Sequence, residues 1–139
     1  MNENRVYNRG DVYLIDFEPH IGSEQGGIRP AVVLQNNIGN IYCPTLIVAP
    51  ITSRSFKKSC LPTHYIIKDS KNVGCFGIVL LEQIKTIDKC RVYKYLGSFS
   101  DKEMIEIEKT INISLDLNAE KNLNIYKNSL SSRVLWQKK

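Results

Sequence analysis

Residues 22–30 read Gly22-Ser23-Glu24-Gln25-Gly26-Gly27-Ile28-Arg29-Pro30, and they run directly into the apolar segment Ala31-Val32-Val33-Leu34. The glycines permit backbone angles with positive φ and let a ligand approach the chain closely. Pro30 restricts Arg29 to an extended conformation at the start of the apolar segment, which is typical of a buried strand. An arginine in this place can hold a phosphate with its planar fork of N–H donors. The spacing alone favours a plainer alternative, a hairpin loop whose arginine pairs with a surface carboxylate.

The size and composition of the chain indicate one globular domain. Its 139 residues are 42% hydrophobic and 24% charged, which is ordinary for a protein with a core. No apolar run is long enough to span a membrane and no signal-like segment is visible, so we expect a cytoplasmic protein without a membrane partner. The four cysteines lack the close spacing of zinc ligands, and we expect reduced thiols, no metal site and no cofactor.

The basic residues are concentrated near the C-terminus. The formal net charge is +5, but residues 1–118 hold 14 basic and 13 acidic residues, whereas residues 119–139 hold 5 basic residues and 1 acidic residue. We therefore predict a domain over residues 1–118 and a basic extension, partly helical or disordered, over residues 119–139. Net charge does not mark the domain as a nucleic-acid binder, so any anion site in it must be local.

The order of predicted elements favours a mainly β fold that ends in one helix. Five to seven short strands, with no helix between them, follow a loose arm of residues 1–8, and this pattern predicts a small antiparallel barrel or a curled sheet. Pro50 is expected to place the end of the third strand at a sheet edge or a bulge. A capping box, Ser100-Asp101-Lys102-Glu103, begins the helix. An apolar stripe is expected to pack this helix on the sheet, and its members are Met104, Ile107, Ile111 and Leu115.

The residue types present are compatible with RNA cleavage without a metal. RNA supplies its own nucleophile, the 2′-hydroxyl, so the protein has only to position the strand and neutralise charge in the transition state. Arg29 can bind the phosphate, and Thr52, at the end of the third predicted strand, can add a hydroxyl donor. Arginine is always protonated and is therefore a poor general base. His20 and His64 are an alternative acid–base pair, although His64 lies within a predicted strand, where a structural role is more common.

A protein that binds single-stranded RNA also needs faces for base stacking and polar groups for base edges. The candidate stacking faces are Phe17, Tyr42 and Phe56, and the candidate edge readers are Asn36, Glu82 and Gln83. Taken one by one, these residues are equally typical of ordinary surface or core positions.

Six segments, in order along residues 9–117, resemble the MazF/PemK toxins of toxin–antitoxin modules, and the similarity is greatest to the MazF toxins of Gram-positive bacteria. They are Arg9-Gly10-Asp11-Val12-Tyr13, residues 22–30, Gln35-Asn36, Ile47-Val48-Ala49-Pro50-Ile51-Thr52, Leu61-Pro62-Thr63-His64 and Leu80-Leu81-Glu82-Gln83-Ile84-Lys85-Thr86-Ile87-Asp88-Lys89. The last segment and the glycine loop are the most specific of the six.

The resemblance implies a small SH3-like barrel with a C-terminal helix, assembled as a homodimer. It implies a sequence-specific, metal-independent endoribonuclease that cuts single-stranded RNA, mainly mRNA, and leaves 2′,3′-cyclic phosphate and 5′-hydroxyl ends. A MazE-like antitoxin would neutralise it by covering the RNA groove with a disordered segment. The catalytic residues of the family fall on Arg29 and Thr52. The RNA contacts of the family fall on Phe17, Glu24, Gln25, Asn36, Ser53, Phe56, Leu61, Glu82 and Gln83.

Two other functions stay open at this stage. The same barrel serves toxins that inhibit a protein target, DNA gyrase, without enzymatic activity, and a plain RNA-binding module would bind RNA without cutting it. The sequence departs from the family pattern at Cys75-Phe76-Gly77 and at Asn37, which affects the expected recognition pockets but neither Arg29 nor Thr52. Similarity suggests a recognition sequence with an ACA core, but one pocket substitution can change base choice by ~1–3 kcal/mol.

Overall fold

The computed structural model describes residues 4–53 and 61–117, and within them seven strands form one antiparallel sheet. The strands are β1 (Asp11–Asp16), β2 (Ile28–Val33), β3 (Thr45–Thr52), β4 (His64–Ile66), β5 (Ile78–Leu80), β6 (Lys85–Asp88) and β7 (Val92–Ser98). The α-helices are α1 (Asn37–Tyr42), α2 (Ser70–Val73) and α3 (Asp101–Leu115). The strand order is β4-β5-β3-β2-β1-β7, and β6 pairs with β3.

The predicted fold class, a mainly β domain with a C-terminal helix, is confirmed, but the barrel is open. The sheet ends at β4 on one side and at β7 on the other, and these two strands do not pair with each other in the described part of the chain. Strand β3 is central. It pairs with β2 along one side, and on the other side it pairs first with β6 and then with β5. Pro50 lies where β3 passes from β6 to β5, so it marks a break between two ladders rather than a sheet edge.

Alternate residues of the strands supply two separate cores. Val12 and Val32 belong to the cluster that lies under α3, whereas Tyr13 and Val33 belong to a second cluster. The second cluster includes Tyr7, whose ring centroid lies 5.2 Å from that of Tyr13 and whose exposed fraction is 5%. The prediction of a loose arm over residues 1–8 is therefore wrong at Tyr7, because aromatic packing on β1 holds this part of the arm.

Helix α3 begins at the predicted capping box. The Ser100 side chain accepts a hydrogen bond from the Glu103 N–H, and the Glu103 carboxylate accepts one from the Ser100 N–H. Met104 and Ile107 are buried as expected, but Leu115 is 54% exposed, because it lies in the last turn beyond the edge of the sheet contact. The end of the helix is instead held by Ser114, whose hydroxyl donates to the Leu81 carbonyl at 2.6 Å.

The prediction that no helix interrupts the strands is wrong, since α1 and α2 are short helices, of six and four residues, between strands. The sequence features that mark these two helices are their N-cap residues, not a periodic apolar pattern. The Asn36 side chain accepts from the Gly39 N–H at 2.8 Å and begins α1, and Asp69 caps α2 in the same way. Among the helices of the described residues, none has the length and apolarity that a membrane crossing requires.

Candidate active site

The glycine loop joins β1 to β2, and Arg29 is the second residue of β2. Its guanidinium folds back onto the loop. The Nε–H group donates to the Gly26 carbonyl at 2.7 Å, and Nη1 donates to Oε1 of Gln25 at 2.6 Å. In residues 4–53 and 61–117, the Nη2 group of Arg29 has no protein acceptor. The guanidinium is half-buried and is held by these two hydrogen bonds, which leaves Nη2 as the group that can donate to an anion.

Thr52 ends β3 on the strand next to Arg29. The last paired positions of β2 and β3 are Ala31 and Pro50, and the same register continued by two residues sets Arg29 opposite Thr52. Side chains at opposite positions of antiparallel strands lie on the same face of the sheet. Thr52 is only 9% exposed. The topology thus puts the two residues that the sequence singled out as catalytic at the same end of two neighbouring strands.

A pocket of about 190 Å³ opens beside this pair. Its walls are Phe17, Glu24, Gln25, Pro50, Glu82, Gln83, Ile84 and Lys85. Five of these residues, Phe17, Glu24, Gln25, Glu82 and Gln83, were expected to contact RNA. Gln25 links the pocket to Arg29, because its side chain both lines the pocket and accepts a hydrogen bond from the guanidinium.

The carboxylate of Glu82 is held in a defined orientation at the rim of this pocket. Oε2 accepts a hydrogen bond from the Thr63 hydroxyl at 2.9 Å, and Oε1 lies 2.8 Å from Nε2 of His64. The Leu61 N–H donates to Nδ1 of His64 at 3.2 Å. Nε2 therefore carries the hydrogen, and it donates the hydrogen bond to Glu82. Sequence reasoning treated His64 as structural and missed Thr63. Their one signal was the position of both residues in the segment Leu61–His64.

Other residues expected to contact RNA lie apart from this pocket, or are more buried than a contact by base stacking requires. Asn36 lies three residues beyond the far end of β2, and the strand alone carries the chain about 13 Å from Arg29 to Val33 by its usual rise per residue. Its side-chain oxygen is already occupied in capping α1. The Phe17 ring is only 1% exposed, so it forms a wall of the pocket rather than an open stacking face. Ser53 and Leu61 are exposed on either side of residues 54–60, and Phe56 lies outside the described residues.

The site contains no obvious set of metal ligands. Across the residues that the structure describes, no group of three or more His, Cys, Asp or Glu side chains is arranged to hold a metal ion. The described cysteines, Cys43, Cys75 and Cys90, are free thiols. Burial raises the pKa of the Cys75 thiol, and a hydrogen bond to Asp88 raises that of Cys90.

Comparison with known proteins agrees with the fold. Residues 8–115 match the family of PemK-like, MazF-like toxins of type II toxin–antitoxin systems. The chain is 52% identical over 113 residues to the endoribonuclease MazF of Staphylococcus saprophyticus, covering 81% of this chain and 93% of that protein.

Two solved structures from Deinococcus radiodurans share the fold. MazF aligns with a TM-score of 0.71 at 25% identity, over 81% of this chain and 99% of that one. A MazE–MazF structure aligns with a TM-score of 0.66 at 25% identity, over 83% of this chain and 100% of that one. With the family match covering most of its length, this chain belongs to the PemK-like, MazF-like toxins of type II toxin–antitoxin systems.

Proposed function

We propose that this toxin is a sequence-specific, metal-independent endoribonuclease that cuts single-stranded RNA, chiefly mRNA, through attack of the 2′-hydroxyl on the adjacent phosphate. The coarser statement, that the chain is an endoribonuclease, follows from its family and from its 52% identity to MazF. The products would be a 2′,3′-cyclic phosphate and a 5′-hydroxyl end.

The observation that carries the proposal is the guanidinium of Arg29, which two hydrogen bonds hold at the end of β2 that adjoins the Thr52 end of β3. An anchored arginine is aligned in advance for the phosphate, so its charge costs little reorganisation when negative charge builds up on the phosphate oxygens. The Thr52 hydroxyl adds a donor on the same face of the sheet. Because the RNA brings its own nucleophile, these two groups and correct positioning of the strand supply the main catalytic effects.

Sequence specificity is assigned to the pocket beside Arg29. Glu82 is an acceptor whose direction Thr63 and His64 fix, while Gln25 and Gln83 offer amide groups that both donate and accept. Such groups read the edges of unstacked bases. An ionised carboxylate accepts from exocyclic amino groups, as glutamate does with cytosine, and it repels a carbonyl oxygen.

The remaining parts of the proposal concern assembly and control. The MazE–MazF structure that shares this fold supports a MazE-like antitoxin as the neutralising partner. We further propose a homodimer that acts in the cytoplasm on mRNA, where cutting would arrest translation and growth. Residues 119–139, which lie outside the described residues, would form a basic extension of the toxin domain.

The test is cleavage of a long mixed-sequence RNA in EDTA, with mapping of the new 5′ ends. We expect cuts at one short motif, ends that accept phosphate from a kinase, and no cut where the nucleotide 5′ of the scissile bond is 2′-deoxy. Arg29→Ala should lower kcat at least 10²-fold, the usual effect of losing one transition-state donor. Lys102→Ala is the matched control, since it removes one positive charge from the exposed first turn of α3.

Three outcomes contradict parts of the proposal. Full activity of Arg29→Ala would remove Arg29 from the mechanism. Cleavage that stops in EDTA would contradict metal independence. A folded protein that cuts no RNA would favour the second candidate, inhibition of a protein such as DNA gyrase, and a supercoiling assay would then follow.

A further inference from the structure

The glycine loop is folded around one carboxylate, that of Glu18. Its Oε1 accepts the Gly27 N–H at 2.6 Å, and its Oε2 accepts the His20 N–H at 3.1 Å. The ring of His20 returns to the same carboxylate, with Nδ1 2.8 Å from Oε2. Glu18 therefore collects hydrogen bonds from both arms of the loop, although nearly half of its side chain is exposed.

One peptide unit links this carboxylate to Arg29. The Gly26 carbonyl and the Gly27 N–H belong to the same planar unit, and in a trans peptide they point in opposite directions. The N–H end donates to Glu18, and the carbonyl end accepts from Nε of Arg29 at 2.7 Å. The unit is thus held between a negative and a positive side chain. A hydrogen bond at one end polarises the group and strengthens the bond at the other.

Without these contacts the peptide unit would rotate easily, because it joins two glycines and Gly27 has a φ of 75°. Rotation would turn the Gly26 carbonyl away from the guanidinium. The ring of His20 restricts this motion as well, since a methyl group placed on Gly26 would come within 2.0 Å of Nδ1. The ring therefore lies directly against the backbone of Gly26.

The base of the loop is also anchored. Arg91 donates to the carbonyls of Asp16 and Glu18, and the Phe17 N–H donates to the Gly27 carbonyl at 2.9 Å. The hydrogen bonds from His20 and from Gly27 lower the pKa of the Glu18 carboxyl below its usual range. Glu18 is then ionised at neutral pH, which is the form that accepts these hydrogen bonds.

We propose that Glu18 is a positioning residue for Arg29, acting through the Gly26–Gly27 peptide, with His20 holding both Glu18 and Gly26 in place. The proposal rests on the proposed function, in which Arg29 binds the scissile phosphate. In this proposal Glu18 acts through the loop and not by contact with RNA. It sets the direction of the guanidinium, so its loss lowers the rate of the chemical step more than it weakens RNA binding.

The experiment compares Glu18→Ala and Glu18→Gln with the unaltered toxin. Glutamine keeps one oxygen that can accept the Gly27 N–H, whereas alanine keeps none. We expect Glu18→Ala to lower kcat about 10–100-fold, the range for a misplaced catalytic group, with KM changed less than threefold. Glu18→Gln should recover most of that loss. Glu108→Ala is the control, because it removes a glutamate that pairs with a different arginine, Arg9.

A second readout does not depend on activity. The Nε–H signal of Arg29 in ¹H–¹⁵N spectra, assigned by its loss in Arg29→Lys, reports the bond to Gly26. We expect exchange with solvent to become at least tenfold faster in Glu18→Ala and to stay unchanged in Glu108→Ala. This signal still tests the role of Glu18 if Arg29→Ala proves fully active and the proposed function fails.

Two results overturn the inference. One is a folded Glu18→Ala protein whose Arg29 signal and kcat both match those of the unaltered toxin. The other is a Glu18→Gln protein that loses as much kcat as Glu18→Ala, because the acceptor oxygen would then be irrelevant. If Glu18→Ala does not fold, Glu18→Gln and His20→Ala replace it in the test. An unchanged exchange rate of the Arg29 Nε–H in His20→Ala, together with an about 10–100-fold loss of kcat in Glu18→Gln, then counts against the proposal.

Discussion

At the scale of single residues, the site depends on glycines whose missing side chains leave room for a neighbour. Gly26 lies against the imidazole of His20, and Gly77 lies against the backbone of Thr52. The first contact supports the loop that holds Arg29, and the second supports the end of β3. In both cases the neighbour is a group next to the proposed chemistry, so a methyl group would disturb the site as well as the fold.

Gly26 offers a test in which one substitution should correct another. Gly26→Ala introduces a methyl group 2.0 Å from Nδ1 of His20, so the ring or the loop must shift, and we expect the bond from Arg29 to the Gly26 carbonyl to be weakened. We expect single-turnover RNA cleavage to slow about 10–100-fold, the effect of misplacing a catalytic group. Adding His20→Ala removes the obstruction, and the double variant should cleave faster than Gly26→Ala alone.

The unaltered toxin, Gly26→Ala, His20→Ala and the double variant form a double-mutant cycle. Its coupling energy measures the contact between the ring of His20 and residue 26. His20→Ala alone should slow cleavage by less than Gly26→Ala does. Losses that simply multiply in the double variant would show that the ring of His20 and the Gly26 backbone act independently, contrary to this prediction.

At the scale of secondary-structure elements, the close pairing of β3 and β5 sets the position of Thr52. Ile51 and Thr52 pair with Val79 and Ile78, and Gly77 comes immediately before this ladder. A Cβ atom on Gly77 would lie 2.3 Å from the Thr52 carbonyl oxygen. Its φ of 137° also disfavours any L side chain. Of the segment Cys75-Phe76-Gly77, which departs from the family pattern, Gly77 is therefore the residue fitted to the end of β3.

Gly77→Ala should destabilise the protein and reduce cleavage together. Backbone strain and steric overlap each contribute about 1–3 kcal/mol to the loss in the free energy of unfolding. Gly22→Ala is the matched control for stability, because Gly22 also has a positive φ of 56° but nothing lies within 4 Å of its missing Cβ. Urea denaturation measures both variants. Equal losses in the two would show that only backbone strain matters at Gly77.

At the scale of the whole molecule, two cores on opposite sides of one curled sheet support the site between them. The cluster under α3 includes Ile51, the neighbour of Thr52, and the second cluster includes Phe17, which walls the pocket. Helix α3 closes the first cluster with Met104 and Ile107 and carries no residue of the pocket. Its role is therefore to stabilise the sheet that carries Arg29 and Thr52, the proposed catalytic pair.

Ile107→Ala tests this role of α3. The side chain is fully buried, so its truncation should lower the free energy of unfolding by about 2–5 kcal/mol, from lost burial and a residual cavity. Ile105→Ala, on the same helix but 53% exposed, should change it by less than ~0.5 kcal/mol. Both variants should cleave RNA normally at temperatures where they remain folded. A rate loss in folded Ile107→Ala would mean that α3 also shapes the site.

The sequence by itself determined the fold class, the helix cap at Ser100 and the identity of Arg29 and Thr52 as candidates. Alternation of apolar residues, a capping box and a glycine loop before a strand are local signals, and the motifs that resemble the MazF/PemK toxins lie in continuous segments. The sequence did not predict α1 and α2. Helices of six and four residues are fixed by single hydrogen bonds to a cap residue, such as that to Asn36.

Only the tertiary structure decided which residues meet. Phe17, Glu24 and Gln25 share a pocket with residues 82–85 because β3 pairs with β2 on one side and with β5 and β6 on the other. The same topology sends Asn36 beyond the far end of β2 and brings His64 to Glu82. The hydrogen bond from the Gly27 N–H to Glu18 depends on how the glycine loop folds back. Such contacts depend on register and loop closure, which no local pattern of residues encodes.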